Sequence, residues 1–311
     1  MKKRALVAVP LLALLAVFAA TNLSCATVGC ATQGPNQLTA ADGVCLQTYA
    51  LAPEPQPRAS VVVVHGLRDH AVRYQPLADA LKAKNMAVYA VDLHGHGRSG
   101  GARQRFESIE QLVEDVRQVV KVAKTEHPGV PVFLYGHSLG GLITTTYGLE
   151  HPEDLAGFIL SAPGIKLKPD VTSGQVSAAR FFGAVLPGLP AQPLGPVEDF
   201  TSNPEERVNM TRDPLIVLAD LPARSTRAAI DGIEAVQARA EEVKLPMLVM
   251  HGDADLITNI DGSRELVKRA ASTDKTLVLW EGQHHDLMHE PKHDEVIAKA
   301  VEWVEAHALA R

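Results

Sequence analysis

Gly136-His137-Ser138-Leu139-Gly140 places a serine between two glycines, where a run of strand formers (132–135) gives way to a helix-compatible stretch. A serine so placed is a nucleophile for acyl transfer. The turn must be tight enough to hold its hydroxyl clear of the backbone, and a side chain at Gly136 or Gly140 would clash across it. The N–H of Leu139 then opens a helix, where it can stabilise an oxyanion. A serine hydroxyl is a weak nucleophile at neutral pH, so it needs a neutral imidazole to take its proton. The imidazole in turn needs a carboxylate to hold its tautomer. Both occur further along, each just past an apolar run: His251-Gly252-Asp253-Ala254-Asp255 and Gly282-Gln283-His284-His285-Asp286. Chain order is Ser, Asp, His. Two acids, Asp253 and Asp255, and two imidazoles, His284 and His285, are open on these grounds.

A second match to the same serine motif, Gly97-Arg98-Ser99-Gly100-Gly101, has no strand directly before it and no apolar helix face after it. Ser99 reads as a loop serine. The other oxyanion donor is expected from His65-Gly66-Leu67, after the β-branched run 61–64. Gly66 permits close backbone approach and the Leu67 N–H is the donor, while His65 reads as a structural loop histidine. His285, His289 and His293 recur every four residues, a spacing compatible with metal ligands. Pro291 interrupts any helix there and no Cys or Glu completes a set, so no metal is expected.

The elements that must position these groups alternate. Strands are expected at 44–51, 60–64, 87–91, 132–135 and 157–161, with helices at 74–84, 108–126 and 139–150. Strands at 245–250 and 276–280 and helices at 261–271 and 292–307 follow. This rhythm predicts an α/β class chain with a doubly wound, mainly parallel sheet, whose functional groups lie in loops at the carboxyl ends of strands. Core segments are 38–164 and 243–311. Between them, 165–242 is proline-rich and lacks the rhythm, which reads as a cap inserted over the mouth of the sheet. Its most apolar stretch is 181–189.

The chain has 311 residues and ordinary apolar and charged fractions, which suit one large domain with an insertion. Lys2-Lys3-Arg4 and an apolar run to Ala20 predict an export signal over 1–24, with a tether to about residue 37. An uncleaved anchor is the competing reading. Cys25 follows at a distance suited to lipidation and Cys30 is the alternative, which predicts a bacterial cell-envelope lipoprotein or, failing that, a soluble secreted form. The intact mass of the mature protein decides among these. With Cys25 lipidated, Cys30 and Cys45 are left to form a disulfide in an oxidising compartment. Loss of the three leading cations takes the net charge from −6 to −9, which disfavours nucleic acid as a partner.

Four segments together resemble the monoacylglycerol lipase and lysophospholipase-like serine hydrolases of the α/β-hydrolase fold. They are His65-Gly-Leu-Arg-Asp-His70 with Arg73-Tyr74, Asp92-Leu-His-Gly-His-Gly-Arg-Ser-Gly100, the Ser138 turn, and the two closing pieces. In that family's pattern, His-Gly-x-x-Asp spacing selects Asp255, and Gly-x-x-His followed by an acid selects His285. The resemblance implies a Ser138-His285-Asp255 acyl-enzyme mechanism on esters with one long acyl chain. It also implies no cofactor, and an apolar cap that meets lipid or membrane. Arg68 stands where the pattern has glycine and Asp69 where it has glutamate. A thioesterase, amidase or perhydrolase of the same fold is the same-class alternative, and a non-catalytic lipoprotein binding an acyl ligand is the alternative of another class.

Overall fold

The computed structural model describes residues 36–51 and 56–309. The expected signal, Cys25 and Cys30 lie outside that range. Strand β1 (Gln37–Thr39) is a short edge that composition did not announce. It pairs antiparallel with β2 (Cys45–Leu51), which runs antiparallel to β4 (Ala87–Val91). The remaining strands, β3 (Ser60–Val64), β5 (Val132–His137), β6 (Gly157–Ser161), β9 (Met247–Gly252) and β10 (Lys275–Trp280), are parallel. The eight-stranded order is β1-β2-β4-β3-β5-β6-β9-β10. Cys45 is disulfide-bonded, and its partner lies outside the described residues.

The β-branched run of β3 explains its central place. All five residues are buried, as a strand covered by helices on both faces requires. One face carries α2 (Ile109–Glu126), α3 (Leu139–Glu150) and α8 (Ile260–Arg269), and the other carries α1 (Gln75–Ala83) and α9 (His293–Leu309). Helix α2 shows the local logic. The Ser108 hydroxyl caps it by accepting from the Gln111 N–H at 3.2 Å. Ile109, Leu112, Val113, Val116, Val119 and Val120 then recur at helical spacing and are all buried. Each such side chain contributes about 2 kcal/mol of burial.

Register sets the site. Val64 lies beside Gly136 and His137 beside Ser161, so the carboxyl ends of β3, β5 and β6 finish level. The loops after β3, β5, β9 and β10 therefore open along one edge of the sheet.

Residues 165–242 hold α4 (Ser173–Val185), the strand pair β7 (Pro190–Gln192) and β8 (Leu221–Pro222), α5 (Val197–Phe200), α6 (Pro204–Arg212) and α7 (Ala223–Arg239). Helix α7 buries Ala228 and Val236 in the main core, so it belongs to the helical layer as much as to the insertion. Helix α4 packs against α7 at Gly183, where a Cβ would meet the Ala223 carbonyl and the Arg227 side chain. Its outer side is apolar and uncovered, with Phe181 61% exposed and Val185 53% exposed.

Candidate active site

Ser138 sits at φ 52° and ψ −114°, a conformation that costs a residue with a Cβ about 1–3 kcal/mol. The surroundings hold it there. Its N–H donates to the Ser161 carbonyl at 3.0 Å, and its own carbonyl accepts from Gly141 and Gly164 at 2.9 and 3.0 Å. A Cβ at Gly136 would run into the Gly140 carbonyl and the Thr144 hydroxyl, and one at Gly140 into the Val64 and His65 carbonyls. Gly140 is thus required by close packing against the end of β3, and Gly136 by close packing against the start of α3.

Asp255 and His285, 30 residues apart in sequence, meet at 2.8 Å between Oδ2 and Nδ1. Oδ2 also accepts from the Thr258 hydroxyl at 2.8 Å and lies 3.0 Å from Nε2 of His251. Oδ1 accepts from the Ile257 and Thr258 N–H groups at 2.7 and 3.0 Å. Burial works to raise the Asp255 pKa, but His285, then the His251 hydrogen bond, hold the carboxyl far below the usual range. Asp253 instead sits exposed and accepts from the Gly282 N–H at 2.7 Å. The His284 N–H donates to Glu290 at 3.0 Å, and its ring does not join the cluster. His285 Nε2 is buried and has no hydrogen-bond partner among the described residues. No hydrogen bond links it to Ser138, whose chain neighbour His137 lies against the His285 ring, the centroids 4.7 Å apart and the planes tilted by 48°. Unliganded sites often leave this contact long.

The loop after β3 passes directly over the serine. A Cβ at Gly66 would lie 3.0 Å from that of Ser138. Leu67 N–H and Leu139 N–H have no acceptor among the described residues, so both donors are free for a ligand. His65 is buried and neutral by environment, since burial lowers its pKa. Its Nδ1 donates to the Gly66 carbonyl at 2.7 Å and its Nε2 accepts from Leu93 N–H at 2.9 Å. Ser99 donates to the Asp92 carbonyl and accepts from Gln47 N–H, a staple between its loop and β2. The histidines at 285, 289 and 293 part company: His289 turns to Asp286 and His293 to the Glu290 carbonyl.

Comparison with known proteins adds the family. The profile described as serine aminopeptidase, S33 (Hydrolase_4) matches residues 55–292. A monoacylglycerol lipase of Mycolicibacterium smegmatis is 34% identical over 276 residues, covering 89% of this chain and 98% of that protein. Human monoglyceride lipase is 34% identical over 253 residues, covering 80% and 82%. The crystal structure of a Paleococcus ferrophilus monoacylglycerol lipase superposes with a TM-score of 0.77 at 31% identity, covering 84% of this chain and 99% of that one. The chain belongs to the monoacylglycerol lipase-like serine hydrolases of the α/β-hydrolase fold.

As a member of that family it is a serine carboxylic-ester hydrolase. Its site contains parts that motif spacing did not reveal. His251 and Thr258 join His285 on Asp255. Phe200 of α5 stands edge-on to the His285 ring at 5.7 Å. Glu290 accepts from the Thr201 and Ser202 hydroxyls at 2.6 and 2.7 Å as well as from His284 N–H, tying the cap to the histidine loop. Below the site Arg73 reaches Asp69 and Glu206 at 2.7 Å and Asp286 at 2.5 Å. Glu206, Asp286 and His289 lie close enough to share a cation, and the Arg73 guanidinium is the cation among them.

Proposed function

We propose that this hydrolase acts on glycerolipids with a single long acyl chain, monoacylglycerols first and lysophospholipids second. The observation that carries the mechanism is the His285–Asp255 contact, which fixes the proton on Nδ1 and leaves the buried Nε2 unpartnered and able to accept a proton. Ser138 Oγ attacks the ester carbonyl as its proton passes to His285 Nε2. The N–H groups of Leu67 and Leu139 hold the resulting oxyanion. His285 then gives that proton to the leaving alcohol, and the acyl group stays on Ser138. Water enters with His285 again as base, and as the tetrahedral intermediate collapses to release the fatty acid His285 returns that proton to Ser138 Oγ. Asp255 stays ionised throughout and stabilises the imidazolium.

Chain-length preference belongs to the cap. Phe181, Phe182, Val185 and Leu186 are exposed on one side of α4 and its end, an apolar patch of the sort that meets lipid. Turnover of a long-chain monoacylglycerol and of a short-chain ester tests this reading. Phe181→Ser with Phe182→Ser should cut the first by about tenfold or more and the second by far less. Equal loss on both substrates would remove the cap from the account.

A further inference from the structure

Arg68 follows the oxyanion residue Leu67, at the place where the family motif has glycine. Its backbone is left-handed, φ 67°, and only 4% of the residue is exposed. A side chain is disfavoured in that conformation, so what the side chain does there must outweigh the strain. Its guanidinium donates to the carbonyls of Gly195 at 2.9 Å and Leu218 at 3.3 Å. It also lies 5.2 Å from the centre of the Phe200 ring, within cation–π range. The Arg68 carbonyl accepts from Val217 N–H at 3.3 Å. Arg68 thus ties the chain on either side of α5 and α6 to the oxyanion loop, and holds Phe200 over the His285 ring.

The cavity behind this pair measures about 10 Å³, room for no more than one water. Arg68 and Phe200 line it together with Leu67, His137, His285 and Asp286. Charged and polar walls suit the hydroxyl-bearing end of an ester, whereas the acyl chain suits the apolar cap. Bulk at the alcohol end is therefore what the Arg68–Phe200 pair meets.

We propose that Arg68 is a specificity-determining residue: by pinning Phe200 over His285 it favours esters of small alcohols over bulky ones, and so monoacylglycerols over lysophospholipids. This rests on the Ser138 hydrolase reading above. Glycine at 68 removes the strut and relieves the left-handed strain, so the variant keeps its fold. Lysine keeps the charge but cannot reach both carbonyls while lying flat on the ring.

The test compares methyl octanoate with cyclohexylmethyl octanoate, which share an acyl chain and differ in alcohol bulk. Arg68→Gly should raise kcat/KM on the bulky ester about tenfold relative to the methyl ester, with Arg68→Lys between it and wild type. Phe200→Ala, which leaves the backbone at 68 untouched, should shift the ratio the same way. A ratio unchanged in both variants, or equal loss on both esters, overturns the proposal. Ser138 labelling by a fluorophosphonate is read in parallel. Labelled wild type with an unchanged ratio sinks this inference alone, while unlabelled wild type sinks the hydrolase reading and this inference with it.

Discussion

Asp255→Asn should lower kcat by about four orders of magnitude with little change in KM, whereas Asp253→Asn should stay within about twofold of wild type. The contrast follows from the donors around each acid. Every neighbour of the Asp255 carboxylate donates: the ring nitrogens of His285 and His251, the Thr258 hydroxyl, and two backbone N–H groups. Asparagine replaces one of those acceptor oxygens by an NH₂ group, which faces donors in either orientation. With the NH₂ at the Oδ2 position, relief comes from rotating the His285 proton to Nε2, which can then no longer take the proton of Ser138. With the NH₂ at the Oδ1 position, it opposes the N–H groups of Ile257 and Thr258, and the negative charge that stabilises the imidazolium is gone in either case. Among the described residues the Asp253 carboxylate accepts only from the Gly282 N–H, on the surface. Steady-state kinetics of the two variants checks this, and a larger loss in Asp253→Asn would reassign the acid.

The second large effect is on stability. Arg73→Met should destabilise the fold by about 3–5 kcal/mol at neutral pH, because it leaves buried carboxylates without their cation. In a chain of this size that lowers Tm by roughly ten degrees. The pH dependence has a defined sign. Burial works to raise the Asp69 pKa, but Arg73 brings it down to about 2. Asp286, also buried, is held well below the usual range by His289 and Arg73. Carboxyls depressed in this way stabilise the fold fully above their unfolded pKa of about 3.9, and the gain is lost as pH falls through the folded value. Without Arg73 the same burial raises the Asp69 pKa while His289 still holds Asp286 down, so the variant loses stability as pH climbs past the raised Asp69 value. The gap in Tm between variant and wild type should be widest near pH 7 and narrow toward pH 4. Thermal melts across that range decide it. A Tm within about two degrees of wild type at pH 7 would contradict the role given to Arg73.

What the sequence showed of this site divides along physical lines. Ser138, Asp255 and His285 stood out as candidates because each sits in a turn whose geometry demands particular neighbours: glycines flanking the serine turn, His-Gly before the acid, Gly-x-x before the imidazole. The parallel sheet was equally legible, since a strand buried on both faces reads as a continuous apolar run, as 61–64 does. The partners of Arg73 were not. Glu206 and Asp286 lie 133 and 213 residues away, and no local pattern encodes a pairing made by the folded chain. Phe200 over His285 was hidden for the same reason, inside a segment where proline and short helices replace periodicity. Arg68 was visible only as a departure from glycine. Its carbonyl partners, and the left-handed backbone that makes the departure costly, come from the fold. Helix α7 shows the converse limit. A boundary drawn where the β-α rhythm stops assigns it to the cap, although its inner face completes the core beneath.

The central claim is that Ser138 is the nucleophile of a working acyl-transfer site. The direct test is to incubate the folded protein and its Ser138→Ala variant with a long-chain fluorophosphonate and locate the adduct by mass spectrometry. The account predicts one adduct on wild type, at Ser138, and none on the variant. An adduct at another serine, or none on a folded wild-type protein, would contradict it.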